Sequence, residues 1–442
     1  MGYCIEKNFS PEMINSIAKR TGFVKRSRKL AAPDFVNTLM FSSCNQATTS
    51  LPDMTADLSQ QFSVDISKEG LHKKFSAEGV CFLKELLKIQ LSQQVSLQEH
   101  TDLKKHFTAI NIKDSSKFSL PDIYNGDYPS FGNFSKTNGL MNLQYEYDLM
   151  SGKWIVLELT SVKRNDQQDS KQTIESLKQG ELYIRDLGYI TPTYLKAVVD
   201  REAYFLNRIP PQANIYTCEN KPMGWKQIAG KFKKTGMRTL DMDVLLYQRE
   251  LLKCRLVIEM VTDDEYRNRL RQAECSAKKH GVGLSKEHKL RCRYNAFITN
   301  VDREILPIEK IRRTYYLRWQ IELVFKTWKS FFEINKVKKV KKERLECQLL
   351  SKLIWVLLNW QLFRSCNHYV QRQASQGGIS VLKFFKRCIT FSNTLRSVVL
   401  NSMDISDWLR KIFLPLIENT GCEAPAGKTT HYKTIDSLMS LS

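Results

Sequence analysis

Four residues suited to nucleic-acid chemistry stand at fixed spacing in the segment YYLRWQIELVFKTWKS. They are Tyr315, Arg318, Glu322 and Lys329. At about 100° per residue of a helix, all four fall within a wedge of about 60°, and an apolar stripe that includes Trp328 lies on the opposite side. One acid among cations and aromatic rings suits contact with phosphates and bases. The plainer interpretation is an amphipathic helix whose charged face is hydrated.

The chain carries a strong excess of positive charge. Its 442 residues include 68 Lys+Arg against 46 Asp+Glu, a formal net charge of +22. Such an excess indicates a polyanionic partner, most simply nucleic acid, although an anionic membrane surface or solubility alone would also account for it. The longest apolar stretch, from Leu349 to Phe363, contains Lys352 and is too short for a bilayer span. It predicts a buried helix and no membrane partner.

The eleven cysteines are scattered singly, with no CxxC and no Cys/His ligand spacing. This pattern argues against a zinc site. An odd number of cysteines without a signal peptide is typical of reduced thiols. We therefore expect a cytoplasmic protein.

The pattern Tyr315-x2-Arg318-x3-Glu322-x6-Lys329 matches the YREK signature of the bacterial insertion-sequence transposases called the IS-four family. The resemblance extends over roughly residues 105 to 335. It implies a DDE transposase with an RNase H-like core, associated with the bacterial nucleoid. Its partners would be double-stranded DNA at the terminal inverted repeats, target DNA, and a second copy of the chain in the synaptic complex.

The resemblance also implies two further acids at strand ends upstream of Glu322. Asp186 opens the sequence Asp-Leu-Gly-Tyr, which fits the second acid, and Asp114 at the end of a predicted strand fits the first. Asp114, Asp186 and Glu322 would then be the catalytic residues and the metal ligands. Other acids near the predicted sheet stand in hairpin, loop or helix settings and suit this role less: Asp148, Asp166, Asp169 and Asp200.

Breaking and rejoining phosphodiesters requires an activated oxygen nucleophile and a stabilised leaving oxygen. Two divalent ions held by carboxylates provide both. The expected cofactor is a pair of Mg²⁺ ions, which prefer oxygen ligands, with Mn²⁺ able to substitute. The resemblance assigns Tyr315, Arg318 and Lys329 to phosphates near the cleaved end.

Other residues could also contact DNA. Trp319, or alternatively Trp225, would stack on a base extruded from the duplex. A basic cluster near the N terminus that includes Arg26, Arg28 and Lys29 is either a hydrated face or a further DNA contact.

The elements that would position these residues follow from hydrophobic periodicity and turn residues. From His106 the chain predicts the order β-β-β-α-β-α-β, with the first strand ending at Asp114 and Pro210-Pro211 closing the series. Strands alternating with helices favour a mixed α/β sheet covered by helices. A long helix beginning near Pro307 would carry the YREK residues.

The predicted organisation combines this α/β core with a β-rich insertion and helical N- and C-terminal domains. Its segments are a helical DNA-binding domain (1–105), the first part of the core (106–211), the insertion (212–293), the second part of the core (294–335), and a helical region for dimerisation (336–442) with a mobile tail from about 420.

Two other functions remain open at this point. One is an RNase H-like nuclease or resolvase that cleaves DNA without strand transfer. The other is an inactive DNA-binding derivative of a transposase. The resemblance itself favours cut-and-paste transposition through a DNA hairpin.

Overall fold

A computed structural model places most of the chain. It describes residues 9–26, 29–45, 49–94, 102–130, 138–247, 251–373, 381–400, 402–408 and 410. The chain divides into two compact units. The first unit comprises Met1–Glu99, Ser115–Lys163 and Gln320–Lys433, and the second comprises His100–Asp114, Arg164–Trp319 and Thr434–Ser442. The predicted tail from about residue 420 lies outside the described residues.

The described residues form nine strands and belong to the mixed α/β class, as the sequence predicts. The strands are β1 Ala109–Leu120, β2 Gly139–Asp148, β3 Trp154–Ser161, β4 Glu181–Arg185, β5 Tyr204–Arg208, β6 Ile215–Tyr216, β7 Thr239–Leu246, β8 Leu252–Met260 and β9 Tyr294–Thr299.

A mixed sheet organises the second unit, with the strand order β1-β4-β5-β9-β8-β7-β6. β1, β4 and β5 are parallel to one another, and the remaining pairs are antiparallel. Six described helices of the second unit accompany the sheet, and the first two lie in the crossover connections that the parallel strands need. They are α6 Asp166–Gln172, α7 Pro192–Asp200, α8 Trp225–Thr235, α9 Asp263–Lys279, α10 Lys286–Arg291 and α11 Ile308–Tyr316.

The hydrophobic core of the second unit joins α7 and α8 to the sheet. Tyr194 and Leu195 of α7, Ile228 of α8, and Leu256 and Ile298 of the strands are each fully buried in one cluster. The strands between 212 and 293 therefore pack into the same core as β4 and β5.

The first unit is mostly helical and also contains the β2–β3 hairpin and the second half of β1. Its helices are α1 Pro11–Arg20, α2 Ala32–Asn45, α3 Leu51–Phe62, α4 Lys68–His72, α5 Ala77–Ser92, α12 Trp319–Phe331, α13 Lys342–Gln373, α14 Val381–Thr390, α15 Ser392–Val399 and α16 Ile405–Trp408. α12 begins at Trp319, the last residue of the Arg164–Trp319 segment of the second unit. The segment from Leu349 to Phe363 is a buried part of α13, as the sequence predicts.

Serine side chains begin several helices of the first unit. Ser10, Ser50, Ser67 and Ser76 each accept a hydrogen bond from a backbone N–H in the first turn of the helix that follows. Such caps satisfy N–H groups that have no partner within the helix. They explain why short polar residues separate the N-terminal helices so regularly.

The order of elements from β1 to β5 is confirmed, but the predicted end of the first strand is wrong. β1 continues past Asp114 to Leu120. Ser115 and Ser116 lie inside the strand, which pairs with β4 through Lys113 and has β2 as its other neighbour in the sheet. Pairing with a second neighbour supplies backbone hydrogen bonds that the local sequence does not reveal.

Two observations on the described residues concern membrane-spanning helices and disulfides. None of their helices is both long and apolar enough to cross a membrane. Eight cysteines of the described part of the chain form no disulfide: Cys81, Cys218, Cys254, Cys275, Cys292, Cys347, Cys366 and Cys388.

Candidate active site

Asp114 and Asp186 stand side by side on neighbouring parallel strands. The register of β1 and β4 runs from Ala109 opposite Glu181 to Lys113 opposite Arg185. Asp114 and Asp186 are the next residues, and the backbone of Asp186 is still extended. Because side chains alternate between the faces of a sheet, both carboxylates point away from the face that carries Lys113 and Arg185. We call Asp114 and Asp186 the carboxylate pair.

The opposite face holds two fully buried cations. Lys113 Nζ lies 2.6 Å from Asp169 Oδ2, and neither side chain has any solvent exposure. Arg164 binds the other oxygen of Asp169 at 2.8 Å. Because a buried charge is costly unless it is paired, Asp169 is the group that allows Lys113 to be buried. Asp169, one of the acids that suited metal binding less, is therefore a structural counter-ion.

Arg185 is buried among three tyrosine rings. Its guanidinium carbon lies 4.5 Å from the ring centre of Tyr194, 5.6 Å from that of Tyr183 and 5.9 Å from that of Tyr189. Such cation–π contacts stabilise a desolvated guanidinium. They also fix the backbone of β4 immediately before Asp186.

Arg318 binds both members of the carboxylate pair. Its Nη1 lies 2.7 Å from Asp114 Oδ2, and its Nε lies 3.8 Å from Asp186 Oδ1. Arg318 is only 8% exposed, so the carboxylates interact with a largely desolvated cation. The sequence predicted that both Arg318 and the two acids belong to one site, and the second unit brings these three residues together.

The helix that carries the YREK residues is not continuous, which corrects the prediction of one long helix. α11 ends at Tyr316 and α12 begins at Trp319. Between them, Leu317 N–H donates to Thr314 and Arg318 N–H to Tyr315, both three residues back. In a straight helix, successive side chains point about 100° apart. The tighter turn lets Leu317 and Arg318 both be buried and leaves the side chain of Trp319 48% exposed.

Tyr315 lies beside Arg318 in a buried setting, so its side chain is not on a hydrated face. Its ring centre lies 5.3 Å from that of Phe297 on β9, and it is 4% exposed. Burial raises the pKa of the phenol to about 12, while the positive charge of Arg318 acts in the opposite direction. The phenol is therefore a neutral hydrogen-bond donor at physiological pH.

Glu322 and Lys329 lie on α12 in the first unit. Glu322 is half-buried in the first turn of the helix. Lys329 Nζ lies 3.4 Å from the carbonyl oxygen of Lys117, and burial lowers the pKa of its ammonium. Among the described residues, no group of three or more His, Cys, Asp or Glu side chains lies close enough together to hold a metal ion.

An aromatic cluster holds α12 against β2 within the first unit. The ring of Tyr145 lies 5.1 Å from Trp328 and 5.9 Å from Phe325, measured between ring centres. Trp328 is fully buried. These apolar residues of α12 form the core-facing stripe that the sequence predicts, and they fix the helix that presents Glu322.

The sequence also predicts DNA contacts for Trp225, Arg26, Arg28 and Lys29. Trp225 is 6% exposed and packs against Tyr294, so its ring is part of the core and is not available to stack on a base. Arg26 and Lys29 are exposed. Arg28 lies outside the described residues.

The side chain of Asn300 links two strands of the sheet. Its side chain accepts a hydrogen bond from Phe205 N–H and donates one to Ala203 carbonyl, both at 2.8 Å. It thereby joins the end of β9 to the start of β5. An asparagine directly after an apolar strand was the only local signal of this link.

Gly188 supports the turn that follows Asp186. A Cβ atom at this position would lie 2.7 Å from Asp166 Oδ2 and 3.2 Å from Asp166 Cβ. We expect Gly188→Ala to lower the free energy of unfolding by about 1–3 kcal/mol, since the methyl group would displace Asp166 or the turn. Urea unfolding would measure the change. Gly283→Ala is the matched control, because a Cβ there meets no described atom within 4 Å; equal effects would contradict the prediction.

Comparisons with known proteins place the chain in a family. The family model "Transposase DDE domain" matches residues 105–358. The chain is 30% identical over 434 residues to the transposase for insertion sequence element IS231F of Bacillus thuringiensis subsp. israelensis, covering 94% of this chain and 90% of that protein. It is 29% identical over 406 residues to the transposase for insertion sequence element IS1151 of Clostridium perfringens, covering 88% and 85%.

Among solved structures, a cryo-EM structure of the piggyBac transposase synaptic complex with hairpin DNA matches with a TM-score of 0.45 and 10% identity, over 98% of this chain and 88% of that one. The family model covers more than half of the chain, and the relatives match along most of their length. The chain therefore belongs to the DDE transposases of bacterial insertion sequences, enzymes that cleave and transfer DNA.

Proposed function

We propose that Asp114, Asp186 and Glu322 bind the divalent cations on which DDE transposases depend. The observation that carries this proposal is the guanidinium of Arg318 between Asp114 and Asp186. Two acids on neighbouring strands that hold a cation between them have the donor chemistry of a metal site. Glu322 would supply the third carboxylate.

The donor set suits Mg²⁺, and we propose two such ions, with Mn²⁺ as a substitute. Carboxylate oxygens are the ligands that these hard cations prefer. When bound, they would activate an oxygen nucleophile and stabilise the leaving oxygen. Arg318 would release the carboxylates and turn to a DNA phosphate, which is an alternative anionic partner for its planar guanidinium.

The neighbouring residues would then hold the DNA. The phenol of Tyr315, neutral at physiological pH, can donate a hydrogen bond to a phosphate oxygen, and Lys329 can bind a second phosphate. The exposed ring of Trp319 offers a surface on which an extruded base could stack. Near the N terminus, the exposed cations Arg26 and Lys29 would bind the terminal repeats, together with Arg28.

We further propose a cut-and-paste reaction carried out by a homodimer that holds both ends of the element. Water would attack one strand at each end. The freed 3′-hydroxyl would attack the opposite strand to form a hairpin, which is reopened before transfer into target DNA. The helices after residue 336 would supply the dimer interface.

The test uses the full chain with duplexes that carry the ends of the element and a target plasmid. With Mg²⁺, we expect nicking at the element end, a hairpin that runs at twice the strand length on a denaturing gel, and joined products in the plasmid. EDTA should abolish all three. Cleavage without joining would instead identify a nuclease or resolvase, and binding without cleavage an inactive derivative.

A further inference from the structure

A basic surface on α8 stands apart from the carboxylate pair within the second unit. The helix has the sequence WKQIAGKFKKT, with four lysines and no acid. Trp225, Ile228 and Phe232 are buried in the core of the unit. At about 100° per residue, Lys226, Gly230, Lys233 and Lys234 fall within a wedge of about 100° on the other side. We call these four residues the basic face of α8.

The lysines of this face are not neutralised within the described part of the chain. No ion pair joins Lys226, Lys233 or Lys234 to a carboxylate there, and all three are exposed. The fourth lysine, Lys231, lies on the flank. It contributes to the lowered pKa of Glu219, for which the hydrogen bond with Thr217 is the larger cause.

The helix α9 of the same unit shows a different arrangement. It is also highly charged, but its first turns combine cations with acids of the same helix. Arg267 binds Asp264 and Arg269 binds Glu265, each at 2.6 Å. Mixed charges of this kind are ordinary for a hydrated helix. The basic face of α8 therefore differs from the mixed charges at the start of α9.

Gly230 at the centre of the basic face is a second, independent observation. Glycine inside a helix is less stable than alanine because its backbone loses more freedom on folding. Nothing in the described structure requires it: a Cβ at Gly230 would meet no atom within 4 Å, and its φ is not positive. A glycine without an internal reason suits a place where an external backbone approaches closely.

From these observations we infer that the basic face of α8 binds the phosphate backbone of duplex DNA, with Gly230 as the point of closest approach. Lys226 and Lys233 are seven residues apart, or about 10 Å along the helix. A duplex carries about six phosphate charges over that length. Contacts of this type are independent of base sequence and position the duplex. The inference rests on the proposed function only in taking DNA as the substrate.

The test measures binding without cleavage, using the full chain in EDTA and a labelled mixed-sequence duplex of about 40 base pairs across about 50–200 mM salt. The variant K226Q/K233Q/K234Q should lower the slope of log affinity against log salt by about 2–3, since each phosphate contact contributes about 0.9. The matched control is R267Q/R271Q/K278Q on α9, which removes the same charge from the same unit and should change the slope by less than about 1.

The variant Gly230→Ala distinguishes a surface that binds DNA from one that is only hydrated. We expect it to raise the Tm by about 2–4 °C, because alanine favours the helix, and yet to weaken binding of the duplex at least about threefold, because the methyl group fills the space of approach. The inference is overturned if the triple lysine variant binds like its control, or if Gly230→Ala stabilises the protein without weakening binding. A wild-type chain that binds duplex in EDTA but never cleaves it would contradict only the proposed function.

Discussion

Asp186→Asn is expected to reduce Mg²⁺-dependent DNA cleavage by at least about 10³-fold, a loss of about 4 kcal/mol of transition-state stabilisation. Asparagine keeps the size of the side chain and removes the negative charge that would bind the cation. Asp114→Asn should have an effect of the same order, since the two residues are neighbours across β1 and β4. Single-turnover cleavage of an end-containing duplex would measure both.

The control for this experiment is Asp200→Asn. Asp200 is an exposed acid at the end of α7 in the same unit, and its replacement should leave the cleavage rate within about twofold. If Asp186→Asn and Asp200→Asn cut equally well, the carboxylate pair is not the metal site. Glu322→Gln tests the third ligand separately, because normal cleavage by that variant would remove Glu322 alone from the proposal.

Breaking the buried ion pair behind the carboxylates is expected to have the largest effect on stability. Asp169→Asn should lower the free energy of unfolding by about 3–5 kcal/mol, because Lys113 would be left fully buried without its carboxylate. Lys113→Met should cost less, since Asp169 would keep Arg164 as a partner. The double variant Lys113→Met/Asp169→Leu should recover part of the loss, because it removes both buried charges.

An exposed ion pair with the same distance between its charged atoms provides the control for that prediction. Arg267 and Asp264 are also 2.6 Å apart, but their side chains are 74% and 84% exposed. Arg267→Gln should therefore change stability by about 0–1 kcal/mol. Urea unfolding of all four variants would show whether burial or distance determines the effect. Equal losses for Asp169→Asn and Arg267→Gln would contradict the account of the buried pair.

Local patterns predicted most of the secondary structure but misplaced two boundaries. The order of strands and helices from β1 to β5 followed from periodicity and from turn residues such as Ser151 and Gly152, which act over a few residues. The end of β1 and the interruption at Leu317 and Arg318 could not be found in this way. Both involve neighbours outside the local segment: β2 lies beside β1 in the sheet, and the carboxylate pair binds Arg318.

The sequence also predicts which charged residues belong to the site, but it does not predict their surroundings. Contact with nucleic acid and a hydrated face were the two open interpretations of the YREK segment, and a helical wheel cannot decide between them. Tyr315 and Arg318 turn out to be buried and Trp319 exposed. Trp225, an equally plausible stacking residue in sequence, belongs to the core.

By itself, then, the sequence determined which elements form, that the chain is basic, and which acids and cations are available for phosphate chemistry. These properties depend on composition and on spacing within one segment. Only the tertiary structure decided that Arg318 binds Asp114, 204 residues away, and that Asp169 neutralises Lys113. It also decided that Lys226, Lys233 and Lys234 of α8 pair with no acid in the described part of the chain. Charge pairing over such separations depends on strand register and helix packing, and no local pattern encodes either.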